Sequence, residues 1–553
     1  MPRDDYKYLK QMWAVAGGAF RLASGAAALG SAISQSMEGD PDVSEQVDPM
    51  AGLASGAELV RYKYDPDGFY LGHIHEDHGQ GFEASMPADD DRHVFIVAGN
   101  ASGKGISFGI QNALRWRGGL LTIDPKGEMA EITAMHRGTK ENALGSGTSV
   151  RQFKGQKIAI LDPMGEVRGA AKKYRVTYNP MRDIDMTNKG GFRKIKKLAS
   201  GMIVPEEGSS AHFSESAETL LAGAIEAVLT LEKPQDHNLP FLRLKILGNV
   251  KLNKDDDPSE SEEAEIKAGF AALYDYLTDD RLPDDGHAAE AASVLGEVLG
   301  SDEAGSFRTT LSRNLKWIAD PDMKANLQPS DFSLWDAVQE GWSVYLVLKP
   351  DDIDDFRNWL RMAVQIALSA KMAMGTNQAG LQTLFFLDEF SALGRFKEIE
   401  KAAGYMRGYG IKLCPIIQNI GQIQDLYGKN WETFLGNAGA IIAWSLNDLE
   451  TEKYISDRMG KIVLAETSYS SSSNTQGLAG GRSRNKSTGL RERAVRFSNE
   501  IHDQGMRESM RAFVITASGK PFTIRRVPYM ALEKHKIFDS PDHIRAWEST
   551  HAK

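Results

Sequence analysis

Cysteine is almost missing from this chain: Cys414 is the single example in 553 residues. An internal disulfide is therefore excluded, and such usage fits a reducing compartment. Long apolar runs are missing too. The nearest approach to one, Trp13–Ile33, is mostly alanine and glycine and carries Arg21 near its middle. An arginine at a helix centre costs about 2.5–3.5 kcal/mol on insertion, which so weakly apolar a segment does not offset. The segment is expected to form an amphipathic or partner-binding helix, and it lacks the compact apolar stretch of a secretory signal. Positive charge is also short. A net charge of −10 excludes a broadly basic nucleic-acid coat. The deficit is local: residues 251–290 hold 13 acidic and 4 basic side chains. The remainder is close to neutral, which leaves room for a basic channel.

What is present is concentrated in two short stretches. The apolar run His93–Val97 leads into Ala98-Gly99-Asn100-Ala101-Ser102-Gly103-Lys104-Gly105, with Ile106 and Ser107 following. This reads as a strand feeding a phosphate-binding loop: small residues let backbone N–H groups close around phosphate oxygens, and Lys104 reaches the β/γ-phosphates. The second stretch, Leu384-Phe385-Phe386-Leu387-Asp388-Glu389, is an apolar run ending in two carboxylates. It reads as a buried parallel strand that delivers Asp388 to Mg²⁺ and Glu389 to an attacking water. Either stretch alone is weak evidence; together they describe a nucleotide hydrolase. The loop departs from the usual pattern at Ala98, where glycine is expected, and at Gly105, where a serine or threonine contacts Mg²⁺. Water, Asp388 or Ser107 must then fill that coordination position.

The rest of the chain, about three to four domain lengths in all, falls into blocks. Residues 1–50 comprise the N-terminal segment and an acidic linker over 36–50. Residues 51–180 read as the first part of a nucleotide-binding domain. Within them, the alternation ELVRYKY, the turn Asp65-Pro66-Asp67-Gly68 and the run FYLG predict short strands ahead of the loop. A helix over Ile106–Arg115 should follow it, then strands at 120–123 and 157–161, the first ending in Asp124-Pro125-Lys126-Gly127-Glu128 and the second in Asp162-Pro163. Strands alternating with helical patterns predict a parallel α/β sheet. Residues 181–329 are helical in pattern, an inserted all-α domain that accounts for the distance from Lys104 to Asp388. Strands resume at 343–348, 384–390, 413–417 and 440–444, so 330–530 is the second part of the nucleotide-binding domain. Residues 467–490 are Ser/Gly-rich and read as a mobile loop, and 531–553 as a C-terminal tail.

These motifs are specific enough to carry a resemblance. GKGISFGIQNAL at 103–114, LLTIDPKGEM at 120–129, KGQKIAILDPMG at 154–165 and YNPM at 178–181 precede the strongest block, LDEFSALGRFKEIEKAAGYMRGYGIKLCPIIQNIGQIQDLYG at 387–428, and NDLETEKYIS at 447–456. In this order, over about residues 58–530, the chain resembles the TraG-like type IV secretion coupling proteins. The resemblance implies an α/β, RecA-like P-loop core interrupted by an all-α insertion, working as an ATP- and Mg²⁺-dependent hydrolase in a ring-shaped hexamer. At matching positions it implies that Lys104 binds phosphate, Asp388 the metal and Glu389 the catalytic water. It makes Gln418 the polar residue sensing the γ-phosphate, and Arg407, eleven residues earlier, the arginine presented to a neighbouring subunit's ATP. The implied partners are other copies of the chain, single-stranded DNA, a relaxase or other secreted protein, and components of the type IV secretion channel. The family usually carries N-terminal transmembrane helices. Here attachment at the cytoplasmic face of the inner membrane is expected to be peripheral, through a membrane anchor protein or a weak N-terminal anchor.

Other features have two readings each. Lys189–Lys197 holds five basic residues, either a contact for DNA phosphates or a solvated helix face. The acidic run at 254–267 is either a dock for a basic substrate or a disordered insertion loop. His73, His75 and His78, with Glu76 and Asp77, match no standard zinc spacing and read as an exposed loop. Asp124 and Lys126 either border the nucleotide site or form a structural turn. Three functions follow: a hexameric ATPase translocating single-stranded DNA with its relaxase, the same motor serving protein effectors or toxins, and a nucleotide-binding docking adaptor with little hydrolysis.

Overall fold

In the computed structural model the described residues are 45–46, 52–74, 81–138, 155–206, 208–248, 260–328, 330, 332–376, 382–405, 408–473 and 482–531. Among them the chain forms fourteen strands: β1 (Glu45–Gln46), β2 (Tyr70–Ile74), β3 (Phe82–Ser85), β4 (His93–Ala98), β5 (Leu120–Asp124), β6 (Ile158–Leu161), β7 (Ser343–Val347), β8 (Thr383–Leu387), β9 (Ile411–Ile417), β10 (Ala438–Trp444), β11 (Lys461–Ser473), β12 (Arg482–Ala494), β13 (Arg511–Thr516) and β14 (Phe522–Arg525).

Eleven strands make one sheet in the order β3-β2-β14-β13-β10-β4-β9-β8-β5-β7-β6. From β10 to β6 every pairing is parallel, whereas β13, β14, β2 and β3 extend it antiparallel. The parallel strands are buried on both faces, which is why their sequences are unbroken apolar runs. Along β4, Phe95 and Val97 join one core while Val94, Ile96 and Ala98 join the other. On β8, Phe385 and Leu387 face the first core and Leu384 and Phe386 the second. The alternation is the period of a strand, two residues per repeat.

Between Pro180 and Gln339 the described residues contain no strand. Helices span Lys189–Met202, Ala211–Leu231, Leu239–Leu247, Glu260–Leu277, His287–Leu299, Ala304–Leu315, Pro321–Asn326 and Leu334–Gln339. Asparagine and aspartate begin several of them in the expected way: Asn188, Asn238 and Asp320 each accept a backbone N–H of the first turn. Their apolar sides, such as Leu220, Ile225, Ala291 and Leu295, continue the first core.

Arg137 fastens the second face. It is fully buried on the helix Glu128–Gly138 and donates to Ser343 Oγ at 2.6 Å, to the carbonyls of Ala113, Trp116 and Gly118 at 2.6, 2.7 and 2.9 Å, and to Gln156 Oε1 at 2.6 Å. Burial draws its pKa down to about 10. Arg137→Met would remove a buried donor shared by five acceptors, of which Gly118 O and Gln156 Oε1 keep another side-chain donor, at a cost of about 3 kcal/mol or more. Chemical denaturation should show a clearly lowered midpoint; an unchanged midpoint would contradict this role.

Two local expectations are corrected. The stretch 58–64, read as a strand from its alternation, is instead helical over Gly56–Leu59 and Val60–Tyr62. A Ser55–Glu58 capping box starts that turn, and the cap outweighs the period-2 pattern. Of the Ser/Gly-rich stretch 467–490, read as a loop, the described residues 467–473 and 482–490 are strand, in an antiparallel pairing that runs from Lys461 with Ala494 to Ser473 with Arg482. These strands belong to a separate three-stranded sheet with β1, where backbone pairing holds a sequence that carries no apolar alternation. The acidic run at 254–267 is helical from Glu260 onward. Trp13–Ile33, His75, Glu76, Asp77 and His78 lie outside the described residues, and no helix among the described residues is long and apolar enough to cross a membrane.

Candidate functional site

The candidate residues meet at one edge of the sheet. In parallel α/β sheets ligands sit outside the carboxyl ends of the strands, where the strand order reverses. Here β4 runs into the glycine-rich loop, Gln418 follows the last residue of β9 and Asp388 the last residue of β8, and these three strands are neighbours. On the other side of β4, Ser445 follows β10, and Val97 pairs with Ile417 so that Gln418 stands beside the start of the loop.

The loop itself is built from alternating backbone conformations. Ala101 has φ 52° and Gly103 φ 82°, both left-handed, and such alternation turns successive N–H groups into an anion-binding nest. Gly99 donates its N–H to Ser445 O at 3.1 Å. A Cβ at Gly99 would come within 2.3 Å of that same oxygen, so glycine is required there. Asn100 and Ala101 are exposed, Ser102 is buried, and Gly103, Lys104, Gly105 and Ile106 are half-buried. Ser102 Oγ is buried with no hydrogen-bond partner among the described residues. The following helix opens with a wide turn over Gly105–Gly109 and continues as Ile110–Arg115. Ser107 is buried on that first turn and donates its N–H to Gly103 O at 2.9 Å.

Lys104 folds over the loop, Nζ to Ala98 O at 3.4 Å. Its charge is felt by Asp388. Burial raises the Asp388 carboxyl to about 6, Glu389 adds to this, and Lys104 and Lys126 oppose it. A carboxylate enclosed at such cost beside two cations is the kind of group that a bound divalent cation stabilises. Glu389 follows at φ 57°, ψ 44°, a left-handed conformation rare for a residue with a side chain and of the kind that clusters at active sites. Gln418 Nε2 donates to Glu389 Oε2 at 3.4 Å, so these two side chains face one another. Gln418 is steadied through its own N–H, which donates to Gln422 Oε1 at 2.8 Å. The loop after Glu389 is held by buried Arg361, which donates to the carbonyls of Leu393 and Arg395 at 2.7 and 2.8 Å.

The structure separates Asp124 from Lys126. Asp124 accepts the Ala130 N–H at 2.8 Å and starts the helix Glu128–Gly138, its carboxyl pushed by burial to about 7. That is the structural-turn reading, while Lys126 lies near enough to Asp388 to favour its ionised form. Arg407 lies outside the described residues. The segment Lys189–Lys197 forms the start of a helix with Arg193 and Lys196 exposed, whereas Lys194 donates to Asp183 O at 2.7 Å. No group of three or more His, Cys, Asp or Glu side chains placed to hold a metal occurs among the described residues.

A parallel sheet with a phosphate-type loop after one strand, and a carboxylate pair two strands away, defines a RecA-like P-loop core, here interrupted by helices. The chain belongs to the family described as Type IV secretory system Conjugative DNA transfer, whose model matches residues 56–544. It is similar to Protein VirD4 of Rhizobium rhizogenes, 26% identical over 386 residues, covering 68% of this chain and 51% of that protein. It is also similar to Conjugal transfer protein TraG of Escherichia coli, 25% identical over 443 residues, covering 77% of this chain and 64% of that one. The chain thus spans about half the length of the VirD4 relatives it matches. Among solved structures, the unbound bacterial conjugative coupling protein TrwB shares the fold with a TM-score of 0.61 at 15% identity, over 89% of this chain and 95% of that one. TrwB in complex with ADP and Mg²⁺ matches with a TM-score of 0.56 at 15% identity, over 89% and 96% of the two chains.

Two contributors to the site carry no sequence signal of their own: Trp444, the last residue of β10, and Arg526, just after β14, both contact the loop from beneath. Their contacts join positions more than 300 residues apart, which no local pattern marks.

Proposed function

We propose that this chain is a coupling ATPase that uses ATP hydrolysis to deliver conjugative substrate, single-stranded DNA with a bound relaxase, to a type IV secretion channel. The observation that carries the reading is the convergence of Lys104, Asp388, Glu389 and Gln418 at the carboxyl ends of three adjacent strands. Membership of the conjugative DNA transfer family and similarity to conjugal transfer proteins support the cargo. The nest at Ala101–Gly103 binds the β- and γ-phosphates through backbone N–H groups, and Lys104 swings from Ala98 O to meet them. Asp388 would hold Mg²⁺, with Ser107, three residues beyond Lys104, as a second candidate ligand; the ion when bound neutralises charge on the phosphates. Glu389 orients water for attack on the γ-phosphorus, and Gln418 reports through its contact with Glu389 whether that phosphate is present. Arg407 is assigned to the neighbouring subunit's site in a hexameric ring. The helical insertion selects cargo, and the ring works at the cytoplasmic face of the inner membrane.

Steady-state ATP hydrolysis with and without single-stranded DNA tests the cargo. Turnover stimulated several-fold by DNA, and lost when salt screens the phosphate contacts, is the expected result. Turnover indifferent to DNA at every salt concentration would overturn the DNA reading and leave protein cargo.

A further inference from the structure

The floor of the phosphate loop is assembled from the far end of the chain. The Ser102 carbonyl accepts two hydrogen bonds: Trp444 Nε1 donates at 3.0 Å and an Arg526 terminal nitrogen at 2.7 Å. Both donors are buried, Arg526 at 2% exposure and Trp444 at 0%. Neither is free to wander. The Trp444 indole stacks on Phe108 with ring centroids 4.9 Å apart, and the Arg526 guanidinium lies 5.2 Å from the Trp444 ring centroid. The remaining Arg526 donors reach Arg507 O at 3.0 Å and Arg511 O at 3.4 Å. Every one of these described acceptors is a main-chain carbonyl, so Arg526 forms no ion pair through them, and the Glu508 carboxylate acts on it only at longer range.

A peptide plane is rigid and trans, with its C=O and N–H pointing in opposite directions. Pinning the Ser102 oxygen downward therefore aims the Gly103 N–H upward. Gly103, at φ 82°, is one of the two left-handed residues that shape the nest. A cation buried behind such a nest adds to its attraction for anions, because the low surrounding dielectric screens it poorly.

We propose that Arg526 and Trp444 are positioning residues for nucleotide binding: they lock the Ser102–Gly103 peptide with its N–H facing the phosphates and set a buried guanidinium charge behind it. The proposal rests on the reading of this loop as a nucleotide site. It ties that site to the segment Arg507–Arg526, so C-terminal residues that touch no nucleotide govern its affinity.

The test is the KM and kcat for ATP of Trp444→Phe, Arg526→Lys and Arg526→Met, with the thermal midpoint of each protein measured without nucleotide. Trp444→Phe keeps the ring on Phe108 but loses the N–H, and KM should rise about 3- to 10-fold with kcat little changed, the signature of lost uniform binding. Arg526→Met should raise KM about 10- to 100-fold. Arg526→Lys, which keeps the charge and one donor, should recover part of that loss. Should Arg526→Met fail to fold, Trp444→Phe and Arg526→Lys carry the test. Folded variants with KM within twofold of the parent would overturn the proposal, leaving only a structural role visible in the midpoints. A parent protein that neither binds nor hydrolyses ATP would instead overturn the underlying nucleotide reading, a result distinct from failure of this one.

Discussion

Lys104→Ala is expected to weaken ATP binding about 10- to 100-fold and to lower turnover by about 10²–10³. The side chain is half-buried on the first residues of the helix and reaches back 3.4 Å to Ala98 O, so it is already poised over the loop. A hydrogen bond to a charged acceptor is worth about 1.5–3 kcal/mol, which sets the binding loss. Removing a charge-stabilising donor from a transferring phosphoryl group sets the larger kinetic loss. Lys104 also pulls the Asp388 carboxyl toward its ionised form, and without it the Glu389 N–H and Lys126 still do so, but with the strongest opposing charge gone. The loss should therefore extend to the metal, seen as a higher Mg²⁺ concentration for half-maximal turnover. Calorimetric titration with a slowly hydrolysed ATP analogue reads the first effect. Retention of full affinity would contradict the assignment of the loop.

Glu389→Gln should do the opposite to the balance of binding and chemistry. The replacement has the same shape, and its amide oxygen still accepts from Gln418 Nε2, now 3.4 Å from the carboxylate. What disappears is the charge that orients and deprotonates water. A general base contributes about 10²–10⁴ in rate, so turnover should fall by that factor while ATP affinity stays within a fewfold. The left-handed backbone at Glu389 argues for this role as well. A non-glycine residue held there costs about 1–2 kcal/mol, and the following turn, tied down by Arg361, over-determines it. Turnover close to that of the parent would move the base to another residue.

The parallel strands were legible in the sequence because burial on both faces leaves a single pattern, the short unbroken apolar run. Even β9 was legible, although Pro415 lies in the middle of the sheet where a missing N–H argues against a strand. Flanking pairings at Thr383–Leu387 on one side and at Ile96 and Val97 on the other hold it in place. Lys104, Asp388 and Glu389 were legible because each follows such a run, whereas Gln418 is indicated only through the resemblance; in the fold Gln418 and Glu389 face one another. The helical start at Gly56–Tyr62 was not, because ELVRYKY satisfies two periods at once and a local cap decides between them. The pairing of β11 with β12 was hidden by a serine-rich composition that carries no strand periodicity. Arg526 and Trp444 were beyond reach. What makes them matter is a carbonyl on a loop more than 300 positions away, and only the folded sheet brings β10, β14 and the loop after β4 together.

The central claim is that one loop binds ATP and a separate carboxylate performs its hydrolysis. It is tested most directly by measuring ATP binding and ATP turnover side by side on the parent protein, Lys104→Ala and Glu389→Gln. The account predicts a parent that binds and hydrolyses, a Lys104→Ala protein weak in both, and a Glu389→Gln protein that binds but scarcely hydrolyses. Binding and turnover falling together in both variants, or neither falling in either, would contradict it.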